Sequence, residues 1–276
     1  MQQFFAVIGD PIAHSMSPAM HNELFQLNEL DAYYLPLRIK SEDLRVAVAG
    51  LRAIGIAGFN VTVPHKEAIM PLLDEIDPLA KAIGAVNTVV NQAGKLVGYN
   101  TDGTGYIAGL KEDLQDFNQK KMLIIGAGGA ARGIYYALAE AGVEEIDICN
   151  RTLDKARKLA MECPYPVKST LLTIQEAEQL LAQYDCIIQT TSIGMSPHIG
   201  EKPLSLKKLN QHAFVSDIIY NPHETAILHE AKQRGVNVQN GLNMFVYQGA
   251  LAFEKWTGIL PDSERMKKNV LQQLGG

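Results

Sequence analysis

Met122-Leu-Ile-Ile-Gly-Ala-Gly-Gly-Ala-Ala-Arg132 runs directly into Gly133-Ile-Tyr-Tyr-Ala-Leu-Ala-Glu140. A short apolar run, a glycine-rich turn and a helical period with Ile134, Leu138 and Ala141 on one face predict strand, tight turn and helix N-terminus. In that setting a G-x-G-x-x-G/A pattern, here Gly126, Gly128 and Ala131, carries a phosphate-binding meaning. Gly126 permits the sharp exit from the strand. Gly128 lets a pyrophosphate approach the backbone, and Ala131 allows helix and strand to pack closely. The free N–H groups and positive end of the helix would then receive phosphates along Gly126, Ala127, Gly128, Gly129, Ala130 and Ala131. Any buried strand-turn-helix favours glycine, so the rest of the chain has to decide the matter.

The chain has 276 residues, 47% hydrophobic and 20% charged, which suits an ordinary globular protein of two domains. A chain of this size buries roughly three-quarters of its unfolded surface and needs no metal or disulfide staple. Net charge is −5, with the basic residues spread along the length, which argues against a nucleic-acid or anionic-membrane partner. Cys149, Cys163 and Cys186 are widely spaced, form no C-x-x-C pair and suggest no metal site. The N-terminus lacks a basic leader region and no stretch approaches 18 apolar residues, so a soluble, cytoplasmic protein is expected.

In the first hundred residues Phe4 to Gly9 reads as a buried strand. Ser15-Met-Ser-Pro18 follows, ahead of a helical run, with Ser17 placed as N-cap and Pro18 at the first helical position. A cap accounts for Ser17 from this segment alone. The sharper reading takes Ser15 and Ser17 together as a small carboxylate site. A strand at Tyr33 to Ile39 and a helix from about Ser41 to Leu51 come next, then a strand Gly58-Phe-Asn-Val-Thr-Val-Pro64. Alternation puts Phe59, Val61 and Val63 on one face of it and Asn60 and Thr62 on the other. Polar side chains on a strand between helical layers are costly unless paired, so Asn60 and Thr62 are expected to line a cleft, with Lys66 where the strand gives way to a helix. Asn91-Gln-Ala-Gly94 signals a hairpin, preceded by Asn87 and followed by the glycine-rich turn that carries Asp102.

Beyond the opening stretch, Glu145 to Asn150 reads as the second strand of a βαβ unit. About 20 residues after the fingerprint an NAD site has an Asp or Glu for the ribose 2′-OH. Asn150-Arg151-Thr152 stands there instead, with Lys155 beyond. A guanidinium in place of a carboxylate suits a 2′-phosphate, so the residues select NADP over NAD. Further strands at Tyr184 to Gln189, Ala213 to Ile219 and Val236 to Gln239 lead to a long apolar helix from Leu242 to Lys255, containing Met244 and Gln248. Strands alternating with helices predict mostly parallel sheets, with ligands at the loops that follow the strands.

These segments resemble the shikimate dehydrogenase family. The resemblance rests on Ser15-Met-Ser-Pro18, Asn60-Val-Thr-Val-Pro-His-Lys66, Gly84-Ala-Val-Asn-Thr88, Asn100-Thr-Asp-Gly103, Gly126 to Arg132 and Asn150-Arg-Thr152. It continues through Thr191-Ser-x-Gly-Met195, Asp217-x-x-Tyr220-x-Pro222 and Gly241-x-x-Met244-x-x-x-Gln248, in the family's order. It implies a reversible, NADP-dependent reduction of 3-dehydroshikimate to shikimate, a step of aromatic amino acid and chorismate biosynthesis. Lys66 and Asp102 would form the catalytic pair. Ser15, Ser17 and Tyr220 would hold the substrate carboxylate, and Asn60, Thr62, Asn87 and Gln248 its hydroxyls and reacting oxygen. Asn150, Arg151, Thr152 and Lys155 would take the adenosine phosphate, and Thr190, Ile218, Gly241 and Met244 would complete the cofactor site. Where Lys155 stands the family often has arginine, so the charge is kept but the bidentate geometry is not.

The fold class implied is α/β in two domains. Residues 1–101 would form a substrate domain with a mixed, mostly parallel sheet, completed by helices in 239–276, and residues 102–238 a Rossmann-like NADP domain. A monomer or homodimer is expected, with no nucleic-acid or membrane partner. Two other functions stay open: a broader quinate/shikimate dehydrogenase, and a non-catalytic NADPH- or metabolite-sensing protein on the same fold.

Overall fold

The computed structural model describes residues 2–13 and 15–273 of the chain. It divides into two compact units, Met1–Thr101 with Val246–Gly276, and Asp102–Phe245. The first unit runs β1 (Gln3–Gly9), α1 (Ser17–Leu27), β2 (Ala32–Arg38), α2 (Leu44–Ala53), β3 (Gly58–Val61) and α3 (His65–Ala68). It continues with β4 (Glu75–Ile76), α4 (Pro78–Ile83), β5 (Thr88–Gln92) and β6 (Lys95–Tyr99). The second runs α5 (Asp102–Asp113), β7 (Met122–Ile125), α6 (Gly129–Glu140), β8 (Ile146–Cys149), α7 (Leu153–Met161), β9 (Leu171–Leu172) and α8 (Ile174–Leu180). Then come β10 (Cys186–Gln189), β11 (Phe214–Asp217), α9 (Ala226–Gln233) and β12 (Asn237–Gln239). The unit boundary falls inside α10 (Leu242–Thr257), and α11 (Ser263–Gln273) follows.

The first sheet has the order β2-β1-β3-β5-β6-β4 and is mixed: β1 pairs in parallel with β2 and β3, whereas β3/β5 and β5/β6 are antiparallel. The expected hairpin joins β5 to β6 through Ala93 and Gly94, both at positive φ (53° and 94°), the conformation a two-residue turn between twisted strands demands. Along β1 the side chains alternate between two cores. Ala6 and Ile8 join Leu44, Val48, Leu51, Phe59, Val61 and Val89 on one side. Phe5 belongs to an aromatic cluster with Phe25, Phe253 and Trp256, at ring separations of 5.0–5.3 Å.

The second sheet, β12-β11-β10-β7-β8-β9, is parallel throughout. Every residue of β7 is fully buried, as a central parallel strand covered on both faces requires. Helices α5 and α6 pack so closely that a Cβ on Gly103 would lie 2.4 Å from the Gly133 carbonyl. Residues 239–245, expected with the first unit, stay with the second. Gln239 donates from Nε2 to the Gly109 carbonyl (2.8 Å), and the Gly241 N–H donates to Ile219 O (3.0 Å).

β3 also ends earlier than alternation suggests, at Val61. Pro64 has no N–H to continue a ladder, and the chain turns with the His65 N–H donating to Thr62 O (2.9 Å). Val63 is therefore 66% exposed instead of sharing the face of Phe59 and Val61.

His21 on α1 is fully buried against the Tyr34 ring (4.6 Å, stacked) and Trp256 (5.2 Å), and burial lowers its pKa from 6.5 to about 3. The unfolded chain binds a proton below pH 6.5 that the folded chain refuses, so this residue removes stability as pH falls from 6.5 towards 3. Between pH 7 and 5 the loss amounts to about 2 kcal/mol. His21→Phe should lose that much less stability than wild type over this interval in urea unfolding, whatever constant repacking cost it carries. Parallel pH curves for the two proteins would show that His21 binds its proton normally in the fold.

Candidate active site

The first unit carries Ser15, Ser17, Asn60, Thr62, Lys66, Asn87 and Gln248. The second carries Asp102, Tyr220 and the nucleotide-binding candidates. At the start of α1 the hydroxyls depart from the roles that capping suggests. The helix begins at Ser17 itself, behind Met16, with no side-chain cap. The Ser17 N–H donates to Ser15 Oγ (3.3 Å), and Ser17 is buried. Ser17 is therefore not an N-cap.

Tyr34 opens a buried polar network. Its phenol, held protonated by burial, donates to Asn60 Oδ1 (2.6 Å). Asn60 Nδ2 donates to Asn87 O and Thr88 Oγ1, both at 3.1 Å. Thr88 Oγ1 donates to Asn87 Oδ1 (3.0 Å), which also receives the Thr101 N–H (2.8 Å). Asn87 Nδ2 donates to Thr101 Oγ1 (3.0 Å), and that hydroxyl donates to the Gln248 carbonyl (3.0 Å). The network thus joins three expected substrate residues, Asn60, Asn87 and, through its main-chain carbonyl, Gln248. It leaves Asn60 one acceptor lone pair on Oδ1 and both amide hydrogens occupied.

Thr62 and Lys66 follow the end of β3, both half-buried. Lys66 lies in the single turn of α3, and its carbonyl accepts the Val86 N–H (2.8 Å), which ties it to the segment leading into Asn87. The neighbouring His65 is buried and bonds the Ile39 carbonyl through Nε2 (2.7 Å), so it stiffens the turn.

In the second unit Asp102 is the first residue of α5, where the positive helix end favours a carboxylate. Gly126 adopts φ +117°, and a Cβ there would meet Thr190 Oγ1 at 2.6 Å, so only glycine fits between the strand ends. Gly128 caps the 12-residue helix α6 in an extended conformation. A Cβ on Gly128 or Gly129 would meet nothing within 4 Å, so open space fronts the N–H groups of the first turn, which holds no acidic residue. Ala127 and Ala130 are half-buried and Ala131 fully buried against the sheet.

After β8, Asn150 Nδ2 donates to Thr152 O (2.8 Å) and shapes the turn. Arg151, Thr152 and Lys155 are exposed, and neither cation has an ion pair among the described residues. Arg157 and Lys158 on the same helix pair with Asp154 and Glu162. An open helix end with two unpaired cations beside the next strand fits a dinucleotide bearing a 2′-phosphate.

Thr190 donates its hydroxyl to Ile125 O (2.7 Å), so it closes the strand end and keeps only lone pairs for a ligand. Ile218, Tyr220 and Met244 are half-buried. Tyr220 packs on Phe245 at 5.0 Å, and Gly241 passes so near the loop that a Cβ would lie 1.9 Å from Ile218 O.

Sequence reasoning gave no role to three buried polar residues: Tyr34, Gln189 and Asp217. Gln189 and Asp217 are register partners at the ends of β10 and β11. Gln189 accepts the Thr191 N–H (3.0 Å) and donates to Thr191 O and Ile193 O (3.2 and 3.0 Å). Asp217 accepts from the Ile219 N–H (3.0 Å) and Thr225 Oγ1 (2.6 Å), and burial raises its carboxyl to about 6 against those two bonds. The available signal was a polar residue closing an otherwise apolar run, as in Cys-Ile-Ile-Gln189 and Phe-Val-Ser-Asp217.

Comparison with known proteins identifies the family. Three family models match in succession: the shikimate dehydrogenase substrate binding domain over residues 7–89, shikimate / quinate 5-dehydrogenase over 109–231, and the shikimate 5′-dehydrogenase C-terminal domain over 241–271. The chain is 55% identical over the full length of both proteins to the shikimate dehydrogenase (NADP(+)) of Geobacillus sp. (strain WCH70). Among solved structures, a shikimate dehydrogenase in complex with NADP+ superposes with TM-score 0.92 at 42% identity, covering 99% of this chain and 96% of that one. The Listeria monocytogenes shikimate 5-dehydrogenase in complex with shikimate and NAD gives 0.93 at 40% identity, covering 97% and 96%. On its fold, its motifs and these full-length matches, the chain belongs to the shikimate dehydrogenase family.

Proposed function

We propose that this chain catalyses the NADP-dependent, reversible reduction of 3-dehydroshikimate to shikimate. The observation that carries the reading is the 55% identity, over both full lengths, to an enzyme named shikimate dehydrogenase (NADP(+)). The unpaired Arg151 and Lys155 beside the open end of α6 support the choice of NADP. Three free cysteines support a reducing, cytoplasmic setting. We expect a monomer or homodimer. No helix among the described residues is long and apolar enough to cross a membrane.

When bound, the nicotinamide supplies or accepts a hydride at the substrate's C3. This chain's residues do the rest. Ser15 and Ser17 bind the carboxylate, and Tyr220 is a further substrate residue. Asn60 accepts from a ring hydroxyl through its remaining lone pair, and Thr62, Asn87 and Gln248 fix the others. Lys66 stabilises the developing alkoxide with its charge and delivers the proton, or takes it in the reverse direction. Asp102 is the second member of the catalytic pair. Gly126 to Ala131 hold the pyrophosphate; Asn150, Arg151, Thr152 and Lys155 hold the adenosine phosphate. Thr190, Ile218, Gly241 and Met244 border the rest of the cofactor.

Initial rates with shikimate and quinate, each with NADP+ and NAD+, test the reading. Shikimate with NADP+ should give the highest kcat/KM. A preference for quinate with NAD+ would favour the broader dehydrogenase, and binding without turnover a sensor. Lys66→Ala should lower kcat by about 10²- to 10⁴-fold with little change in shikimate KM; a near-normal kcat would remove Lys66 from the mechanism. Arg151→Ala should raise KM for NADP+ by about 10- to 100-fold and leave that for NAD+ nearly unchanged. An equal rise for both would mean that Arg151 does not read the 2′-phosphate.

A further inference from the structure

We infer that Asp217 and Thr225 form a positioning clamp that fixes the Ile218–Tyr220 loop, and with it the border of the nicotinamide site. The inference rests on the functional reading above, because that reading gives Ile218 and Tyr220 their roles.

Asp217 is 1% exposed at the end of a central parallel strand, where a carboxylate is costly unless its hydrogen bonds are specific. Its two oxygens do separate work. Oδ1 receives the Ile219 N–H and bends the chain directly beyond Ile218, while Oδ2 receives the Thr225 hydroxyl. The loop is closed from the other side by Gly241, whose N–H donates to Ile219 O and whose bare Cα leaves room for Ile218 O.

Thr225 shows what local stability is forgone. It stands at the N-cap of α9 in an extended conformation, where a threonine hydroxyl ordinarily accepts a helical N–H, yet it makes no such bond. Its methyl side lies 3.6–3.8 Å from where a Gly194 side chain would begin, so the same residue also bears on the loop after β10. A polar pair that surrenders a helix cap to a buried carboxylate, next to a loop given ligand contacts, holds geometry more than it holds the fold. Neither residue need touch a ligand; both act through the main chain of Ile218 to Tyr220.

The test compares Thr225→Val, which keeps the shape and removes the hydroxyl, with Thr225→Ser, which restores it. Amide exchange of the ligand-free proteins, read by mass spectrometry on a peptide covering residues 217–221, should be at least about tenfold faster in Thr225→Val than in wild type. With shikimate and NADP+, kcat should fall by about 10- to 100-fold, because small misplacements at the reacting centre are costly. The KM for NADP+ should stay within about threefold, since the phosphates are held elsewhere. Thr225→Ser should recover both properties. A variant with a lowered Tm but wild-type exchange at 217–221 and wild-type kcat would overturn the clamp and leave Thr225 a packing residue. If the wild-type protein itself makes no NADPH from shikimate, the functional reading falls, and the exchange comparison still decides whether the clamp exists.

Discussion

Where β10 and β11 stop pairing inside the second unit, the side chains of Gln189 and Asp217 take over the hydrogen bonding of the chain. That substitution is the constraint on which the site depends. A parallel strand that ends leaves backbone groups without ladder partners, and where they are buried they must find others. Gln189 satisfies the turn at Thr191 to Ile193, Asp217 the turn at Ile219, and Thr190 the carbonyl of Ile125. The loops so formed are fixed in shape, which a binding surface requires.

The first unit meets the same constraint with neutral groups. Asn60, Thr88, Asn87 and Thr101 satisfy one another at the ends of β3, β5 and β6, and Tyr34 and Gln248 close the chain of bonds at either end. Each amide has its orientation set by a neighbour, so removing one hydroxyl disturbs several residues. Such networks are rigid when complete. Here one joins residues on β2, β3, β5 and α10, and Lys66 is tied beside it through the Val86 N–H.

The doubly wound half was legible because its signals are local. An apolar run, three small residues and a helical period fix the strand, turn and helix of Met122 to Glu140, and Arg151 for an acidic residue is a choice visible in one position. The hairpin at Ala93-Gly94 was local too. What the sequence hid was tertiary. Ser17 has the composition of a cap, yet the helix starts at Ser17 itself and no side chain caps it. Val63 follows the alternation of Phe59 and Val61, but pairing ends before it. The long helix of Leu242 to Thr257 gives no local sign that the unit boundary falls within it. Thr225 stands at the N-cap of α9, but its hydroxyl goes to Asp217.

The central claim is that the first unit grips shikimate through its serines and its amide network while the second selects NADP through Arg151. A crystal structure of the protein with shikimate and NADP+ tests it most directly. The account predicts the carboxylate on the hydroxyls of Ser15 and Ser17, a ring hydroxyl on Asn60 Oδ1, and the 2′-phosphate on Arg151. Shikimate held away from these groups, or a 2′-phosphate facing solvent with Arg151 disengaged, would contradict it.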